Sequence, residues 1–511
     1  MRKILYIGSC LVVIASGACN KKLDQVPPSS TATTNFYTNT SDFTLAVTGA
    51  YSKLRSYPDQ QLWLGEMRSD NIIITTDGNR DFQAIKNLSP NLTNVGFVVN
   101  AWDNDFNGIF NANTVLDKLV TNGKNIPDSS LRTRFAAECR FLRALYYFDL
   151  VRFYGKVPLV TSALAPNDVA AIPRSAVKDV YDFIVQDLQY AAANLPGSYG
   201  AADIGRATSW SAKGLLGLVY LTKSSPNYGS VEGPLLGSNE FAQAMAQFDD
   251  IINHGGFVFS TDYPSIFSYT NENNKEVIFD VQFASGTNGA SYPSQLVNSS
   301  YFDGFGVQNN YGNGYGSSSY DVTKNLLYSF KATAGGAVDK RDTFSITYGY
   351  YTGYPNSATN LDTADHFEKK YLNFARRGTS RTDWPINFIV MRYTDVLLMK
   401  AECILRGAPG SQSYVDSVVN KVRTRAGIPP VSNVTLPMLM EERRREFVGE
   451  GLRWNDLVRS GQAVSTMNAW IASDTLGTTI LPMKPEYIIY PVPQAELLAK
   501  PGLYTQNAGY Y

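Results

Sequence analysis

"LRTRFAAECRFLRALYYFDLVRFYGKVP", residues 131–158, is the stretch whose reading decides the fold class. Phe135, Cys139, Leu142, Tyr146, Leu150 and Phe153 recur at steps of three and four, which draws one apolar stripe along a helix. Arg134 with Glu138, and Asp149 with Arg152, place opposite charges at helical spacing. Gly155 and Pro158 then end the element. Outward from this segment, the same period predicts helices over 41–55, 103–120, 175–194, 208–222, 391–406, 412–425 and 435–449. Another runs from Phe241 through Met245, Phe248 and Ile252, with Ser238 as N-cap and Gly255 as stop. The small residues of "SAKGLLGLVYL" (211–221) would let helices approach closely. One strand is predicted, "EVIFDVQF" (276–283), with Val277, Phe279, Val281 and Phe283 on one face. The chain is therefore mainly α. Helices in pairs with small and aromatic contact residues suggest a degenerate tetratricopeptide-like stack, although no clean 34-residue period is visible.

The region 261–385 differs from the rest. It is rich in Gly, Asn, Ser and Tyr and poor in helical periodicity, so it reads as long loops on a helical scaffold, where binding residues tend to sit. Its extreme is "YFDGFGVQNNYGNGYGSSSY" (301–320), with six aromatic residues, five glycines and a single charge, Asp303. Rings on a flexible segment cost about 25 cal/mol per Å² of apolar surface left uncovered, so they need an occupant or a place to plug. Phe302 and Phe305, which lack a polar tip, are the candidates for plugging the segment onto the helices.

Composition narrows the function classes. The chain has 511 residues, 44% hydrophobic, enough for a large core. Forty-five basic residues balance 45 acidic ones, which gives no electrostatic case for nucleic acid or an anionic membrane surface. The two histidines, His254 and His366, lie 112 residues apart. That argues against a His-rich metal centre or a His-based triad. Cys139 and Cys403 each follow Ala-Glu in an apolar helical context and read as small buried thiols rather than a disulfide. No CxxC supports a zinc or redox motif. No cofactor is expected.

At the N-terminus, basic "MRK" precedes an apolar run of 15 residues, "ILYIGSCLVVIASGA". That is short for a membrane span of about 20 residues and suited to an export signal. Ser16, Gly17 and Ala18 before Cys19 resemble a lipoprotein-processing site, although Ser16 replaces the usual aliphatic residue. The expected organisation is a signal peptide over 1–18, a tether over 19–40 acylated at Cys19, and one domain over 41–511. Within that domain, a helical part spans 41–260, a loop-rich part 261–385 and a C-terminal helical part 386–511.

Four stretches, in order behind that signal, carry a resemblance: "AAECRFLRALYYFDLVRFYGKVPLV" (136–160), "RYTDVLLMKAECILRG" (392–407), "VNKVRTRAGIPP" (419–430) and "EERRREFVGEGLRWNDLVRSG" (441–461). The C-terminal "IYPVPQAELLAKPGLYTQNAGYY" (489–511) adds to it. Together they resemble the SusD/RagB family of nutrient-uptake outer-membrane lipoproteins. The resemblance implies a mostly helical fold of four tetratricopeptide-like helix pairs with a loop-rich, ligand-facing part. It also implies a place on the cell surface and a partner, a SusC-like TonB-dependent transporter that receives the ligand. Most members with a known ligand bind glycans, a minority bind peptides, and they are not enzymes. A glycoside hydrolase would need two carboxylates about 5–5.5 Å or 6.5–9.5 Å apart across one bond; sequence leaves that open and the resemblance argues against it.

The charged run "EERRRE" reads as a salt-bridged helix face, since Glu441 and Arg445 lie four apart and Glu442 and Arg445 three apart. Trp454 reads as core. For ligand binding, the resemblance points by region to 68–82, 100–106 and 301–355. The candidates there are Asp70, Asn71, Asp77, Arg80, Asn100, Trp102, Tyr301, Tyr311, Tyr315, Tyr350 and Tyr351. Flat rings suit sugar faces, and short polar or charged groups suit hydroxyls. Asp70 and Asn71 equally suit capping a turn, and Trp102 equally suits packing at a helix start.

Overall fold

The structure is a computed structural model that describes residues 36–74, 80–286, 288–297, 301–302, 320–333, 336–351, 361–473 and 480–511. The signal segment, Cys19, most of the tether, Asp77, Phe305, Tyr311 and Tyr315 lie outside the described residues. The main helices are α1 (Thr40–Tyr51), α2 (Gly96–Asn122), α3 (Ser129–Tyr154), α4 (Val177–Asn194), α5 (Ser209–Ser224) and α6 (Phe241–His254). They continue with α7 (Lys324–Thr333), α8 (Tyr393–Leu405), α9 (Gln412–Ala426), α10 (Leu436–Glu446), α11 (Arg453–Ser460) and α12 (Ala463–Ser473). From α1 to α6 each helix packs on its neighbour in sequence; α6 then packs on α8, and α8 on α9 and α10. Such neighbour-on-neighbour order is that of a helical-repeat stack.

Local chemistry accounts for most boundaries. The Asp128 carboxylate caps α3 by accepting from Ser130 and Leu131 N–H groups at 2.8 and 3.3 Å. The helix ends at Gly155, whose φ of +72° excludes most side chains and where a Cβ would lie 2.1 Å from the Glu232 carbonyl oxygen. The predicted pairs Arg134–Glu138 and Asp149–Arg152 are both present. The single apolar stripe is not the whole story, however: from Phe141 to Tyr154 every side chain is buried. The polar ones among them are paired, as when Arg143 grips Asp187 at 2.8 and 2.9 Å. On α5 the small residues do permit close approach. A Cβ on Gly217 would stand 2.4 Å from the Phe248 ring of α6, and one on Gly214 2.4 Å from the Met391 sulfur.

Two ends differ from the sequence reading for a tertiary reason. Helix α2 begins at Gly96, not at 103, because the Asp81 carboxylate on a short helix (Arg80–Lys86) accepts the Gly96 N–H at 3.1 Å. Helix α6 starts after Glu240, whose N–H donates to the Ser224 hydroxyl at 2.6 Å; Ser238 pairs with that same hydroxyl instead of capping.

Short ladders connect the scaffold to the intervening region: β1 (Ile72–Ile74) with β3 (Tyr320–Val322), β2 (Val277–Val281) with β6 (Phe388–Arg392), and β4 (Tyr350–Tyr351) with β5 (Leu361–Asp362), all antiparallel. In β2 the residues from Ile278 to Val281 are all buried, so both faces are covered and the predicted one-sided alternation is absent. One core extends from Ala50 to Tyr510, and a smaller one joins Phe43, Val47, Val115, Phe135 and Cys139. Cys139 and Cys403 are free and buried, and burial raises both thiols.

The core also encloses a charge network. Arg392, at the end of β6, donates to Glu446 at 2.8 Å, to Glu450 at 2.9 Å and to Glu276 at 3.2 Å. Truncating one member of such a buried set leaves the others uncompensated. Arg392→Ala is expected to destabilise the fold by about 3–5 kcal/mol, read by chemical denaturation.

A second buried group works in the opposite direction. Glu368 lies against Glu66, and neither Glu368 carboxyl oxygen accepts a hydrogen bond from the described residues. Burial first, and then the Glu66 charge, raise its pKa well above the carboxylate range. Once pH exceeds about 4.3 the unfolded chain ionises this group while the folded one retains the proton, so stability falls as pH rises. Glu368→Gln is therefore expected to raise Tm, by a margin that widens between about pH 5 and pH 8.

Candidate functional site: a loop cluster on short ladders

The ladders bring two of the three singled-out regions, 68–82 and 301–355, to one place. Ile74 pairs with Tyr320 and Ile72 with Val322, so the last residue of β1 and the first of β3 stand at the same end of one ladder. Beside it, the Val322 N–H donates to the His366 carbonyl at 2.9 Å, and the His366 N–H donates to the Asp321 carboxylate at 2.8 Å. His366 follows β5, which pairs with β4. A bridge between Ile346 and Glu368 extends that hairpin at its base.

Aromatic side chains fix the roots. Phe302 is fully buried, 6.3 Å from Phe374 and 6.5 Å from Trp384, with the Arg381 guanidinium 5.7 Å from its ring. It does plug its segment onto the body. Tyr301 is half-buried and meets Phe302, Tyr350 and Phe367 edge-on at 5.4, 5.9 and 5.2 Å. Edge-on pairs add about 0.5–1.5 kcal/mol beyond area burial, which suits an anchor.

The outward-facing rings are different ones. Tyr348 is 39% exposed and Tyr328 70% exposed. The Tyr348 ring meets His366 edge-on at 5.1 Å, and its hydroxyl donates to Asp342 at 2.6 Å. Lys331, one turn along α7 from Tyr328, stands 5.9 Å from the same ring. Burial, and then the Asp342 hydrogen bond, raise the Tyr348 phenol, so it stays neutral. Exposed rings, an imidazole, carboxylates and an ammonium group thus border the ladders.

The predicted residues are placed as follows. Asp70 is buried and bound bidentately by Arg453 at 2.8 and 3.0 Å, with Arg444 at 3.1 Å. Burial alone would raise its carboxyl, but the Arg444 and Arg453 charges outweigh that and hold it well below the carboxylate range. Asn71 is buried between Glu66 and Arg444, at 2.5 and 2.7 Å. Neither residue has surface to offer a ligand; both hold the root of β1. Trp102 is likewise core, 5.0 Å from Phe106 and 5.1 Å from Tyr154. Tyr350 is buried beneath Tyr301. Asn100 is exposed on α2, Arg80 opens its short helix, and Tyr351 lies in β4. The reading missed Tyr348, Tyr328 and His366. The available signal was the tyrosine run 348–354 around Gly349, whose φ of +94° breaks the strand alternation and separates an outward Tyr348 from an inward Tyr350.

The "EERRRE" segment forms most of α10, and Trp454 is core. Glu442 and Arg445 pair within the helix at 2.7 Å, but the helix is buried and most of its charges reach other elements. Arg443 bridges Asp395 and Asp456 at 2.7 and 2.8 Å. Among the described residues, no group of three or more His, Cys, Asp or Glu side chains is arranged to hold a metal ion.

Comparison with known proteins follows this architecture. The model of the SusD family matches residues 275–510, and one described as starch-binding, associating with the outer membrane, matches 23–221. The chain belongs to the SusD family. A SusD-like protein from Bacteroides ovatus is 28% identical over 89% of this chain and 83% of its own length. A solved laminarin-binding SusD-like protein is 26% identical, with a TM-score of 0.72 over 93% of this chain and 100% of that one. The surface glycan-binding protein A of Bacteroides thetaiotaomicron, solved with laminarihexaose, shares the SusD fold at a TM-score of 0.72 and 22% identity, over 93% of this chain and 100% of that one. Neither matching SusD model describes a catalytic family. Among the described residues, no helix is long and apolar enough to cross a membrane.

His366 gives this site a measurable pH signature. The hydrogen bond to Asp321, and after it the Asp321 charge, raise its pKa above the ordinary value, against an opposing effect of burial. Stability from this pair is fully present below about pH 6.5 and is lost as pH rises through the raised folded value. Calorimetry of His366→Gln is expected to show a lower Tm than the parent at about pH 5.5 and convergence at about pH 9.

Proposed function

We propose that this protein is a cell-surface receptor that captures an oligosaccharide or polysaccharide on the loop cluster and passes it to a SusC-like TonB-dependent transporter. Acylation at Cys19 holds it to the outer membrane, with residues up to about 40 as tether, and the protein has no catalytic role. The observation that carries this reading is that the β1–β3 and β4–β5 ladders adjoin through His366, with the exposed Tyr348 ring beside them. Tyr301, Tyr311, Tyr315 and Tyr351, with Asp77, Arg80 and Asn100, remain ligand candidates, joined by Tyr348 and Tyr328 at the described rim. Their chemistry fits a neutral sugar, since rings cover the C–H faces while amide, carboxylate and guanidinium groups serve hydroxyls. The laminarin and laminarihexaose ligands of two structural neighbours support the same ligand class. The SusC-like partner is supported by family membership alone.

Calorimetric titration of the pure protein against neutral polysaccharides, laminarin among them, and against peptides tests the reading. Glycan binding is expected, and tight peptide binding without any glycan signal would overturn the sugar assignment. Tyr348→Ala is expected to weaken glycan binding about 5- to 10-fold, the equivalent of about 1–1.4 kcal/mol, with only a small fall in Tm. Release of sugar products from a bound polysaccharide would instead identify a hydrolase.

A further inference from the structure

A cleft of about 490 Å³ lies between the end of α1, the turn at 201–206 and the outer edge of β2. None of its lining residues belongs to the loop cluster. Its volume falls within the roughly 300–1,000 Å³ of small-ligand sites. Tyr51, Leu54 and Ile204 supply apolar surface, and Ile204 is 50% exposed, a large apolar side chain left uncovered beside the opening. Thr48, Arg55, Gln282 and Asn288 add a hydroxyl, a guanidinium and two amides from two separate segments.

Several of the polar groups are held in place before any ligand arrives. Arg206 donates to Asp203 at 2.7 Å and to Glu138 at 2.9 Å. Gln282 exchanges amide hydrogen bonds with Asn273 at 3.0 and 3.3 Å and donates to Asp280 at 2.5 Å. Gly205, with φ +89°, lets Gln282 lie across the turn; a Cβ there would stand 2.2 Å from the Gln282 Cγ. Fixed donors and acceptors lower the ordering cost of binding. The charges also compensate, as Arg206 faces Asp203 across the pair just described. Burial pushes the Asp280 carboxyl up to about 7, so it is only partly ionised near neutral pH. A compact neutral ligand with hydroxyls on its rim and C–H groups on its faces would match both kinds of surface.

We propose that this cleft is a second ligand site, independent of the loop cluster, that takes a neutral saccharide of about two units. The proposal does not rest on the reading of the loop cluster.

Hydrogen–deuterium exchange of the full chain, with cellobiose, laminaribiose and maltose each at about 10 mM, tests it. That concentration suits a weak site with a Kd of about 1 mM. At least one disaccharide is expected to slow exchange in peptides covering both 200–207 and 280–289. The protection should persist in Tyr348→Ala and vanish in Ile204→Trp, whose indole would fill the opening. Gln282→Ala, a smaller change, should weaken it at least about fivefold. No protection with any of the three sugars would overturn the proposal, as would protection that survives both cleft variants, or equal protection by trialanine. Loss of glycan binding at the loop cluster alone would leave these peptides unaffected, so the two sites fail separately.

Discussion

Arg392 is the joint on which the arrangement depends. It closes β6, and the next residue opens α8. Its planar guanidinium serves Glu446, Glu450 and Glu276 at once and lies 4.3 Å from the Phe447 ring. Lysine, a single point charge, could not present that fork. Glu446 also accepts from Arg425 of α9 and from Arg341, at 3.2 Å in the latter case. One buried cluster therefore ties β2, β6, the segment at 341, α9 and α10 together. Its net contribution to stability is modest, because removing every charge from water offsets most of the attraction. Its effect is on geometry: each carboxylate and guanidinium meets an opposite charge in this mutual placement, and a slip of one element would strand a buried charge.

The same network reaches the candidate site through α10. Arg444 and Arg453 clamp Asp70, and Arg444 also binds the Asn71 side chain at 2.7 Å. Those two residues lead directly into β1. The Asp70 carbonyl accepts from the Thr323 hydroxyl at 2.7 Å, just beyond β3. The β1–β3 ladder is thus fastened at its base to the buried charge network. Asp70 and Asn71 act on the site by positioning it, without touching what it holds.

How much of this was legible follows from the range of each interaction. The Phe135–Phe153 stripe and the Arg134–Glu138 pair lie within a few residues in sequence, and both were readable. Asp70–Arg453 joins positions far apart, and no spacing rule encodes it. The charges of "EERRRE" looked like a helix face because only the intrahelical partners, such as Glu442 and Arg445, are visible locally. The capping of Gly96 by Asp81 was hidden for the same reason. At the site, composition identified the regions, since rings and glycines cluster there. It could not sort Tyr350 from Tyr348: a positive φ at Gly349 turns one inward and leaves the other outward. Phe302 was legible because a ring without a polar tip gains most from full burial.

The contrast between fixed roots and glycine-rich segments bears on affinity under the proposed function. Residues 303–319 include five glycines, and glycine loses more freedom on ordering than any other residue. Fixing a backbone costs about 1–2 kcal/mol per residue, so ordering even a few of these positions around a sugar would offset much of the gross gain from ring stacking. Affinity built this way is moderate and spread over many weak contacts. That is an advantage for a receptor that must release its ligand to a transporter, and a rigid pocket of the same chemistry would hold the sugar too long. Under that reading, the buried network fixes where the ladders stand, and the glycine content of the sequence beyond them keeps bound sugar exchangeable.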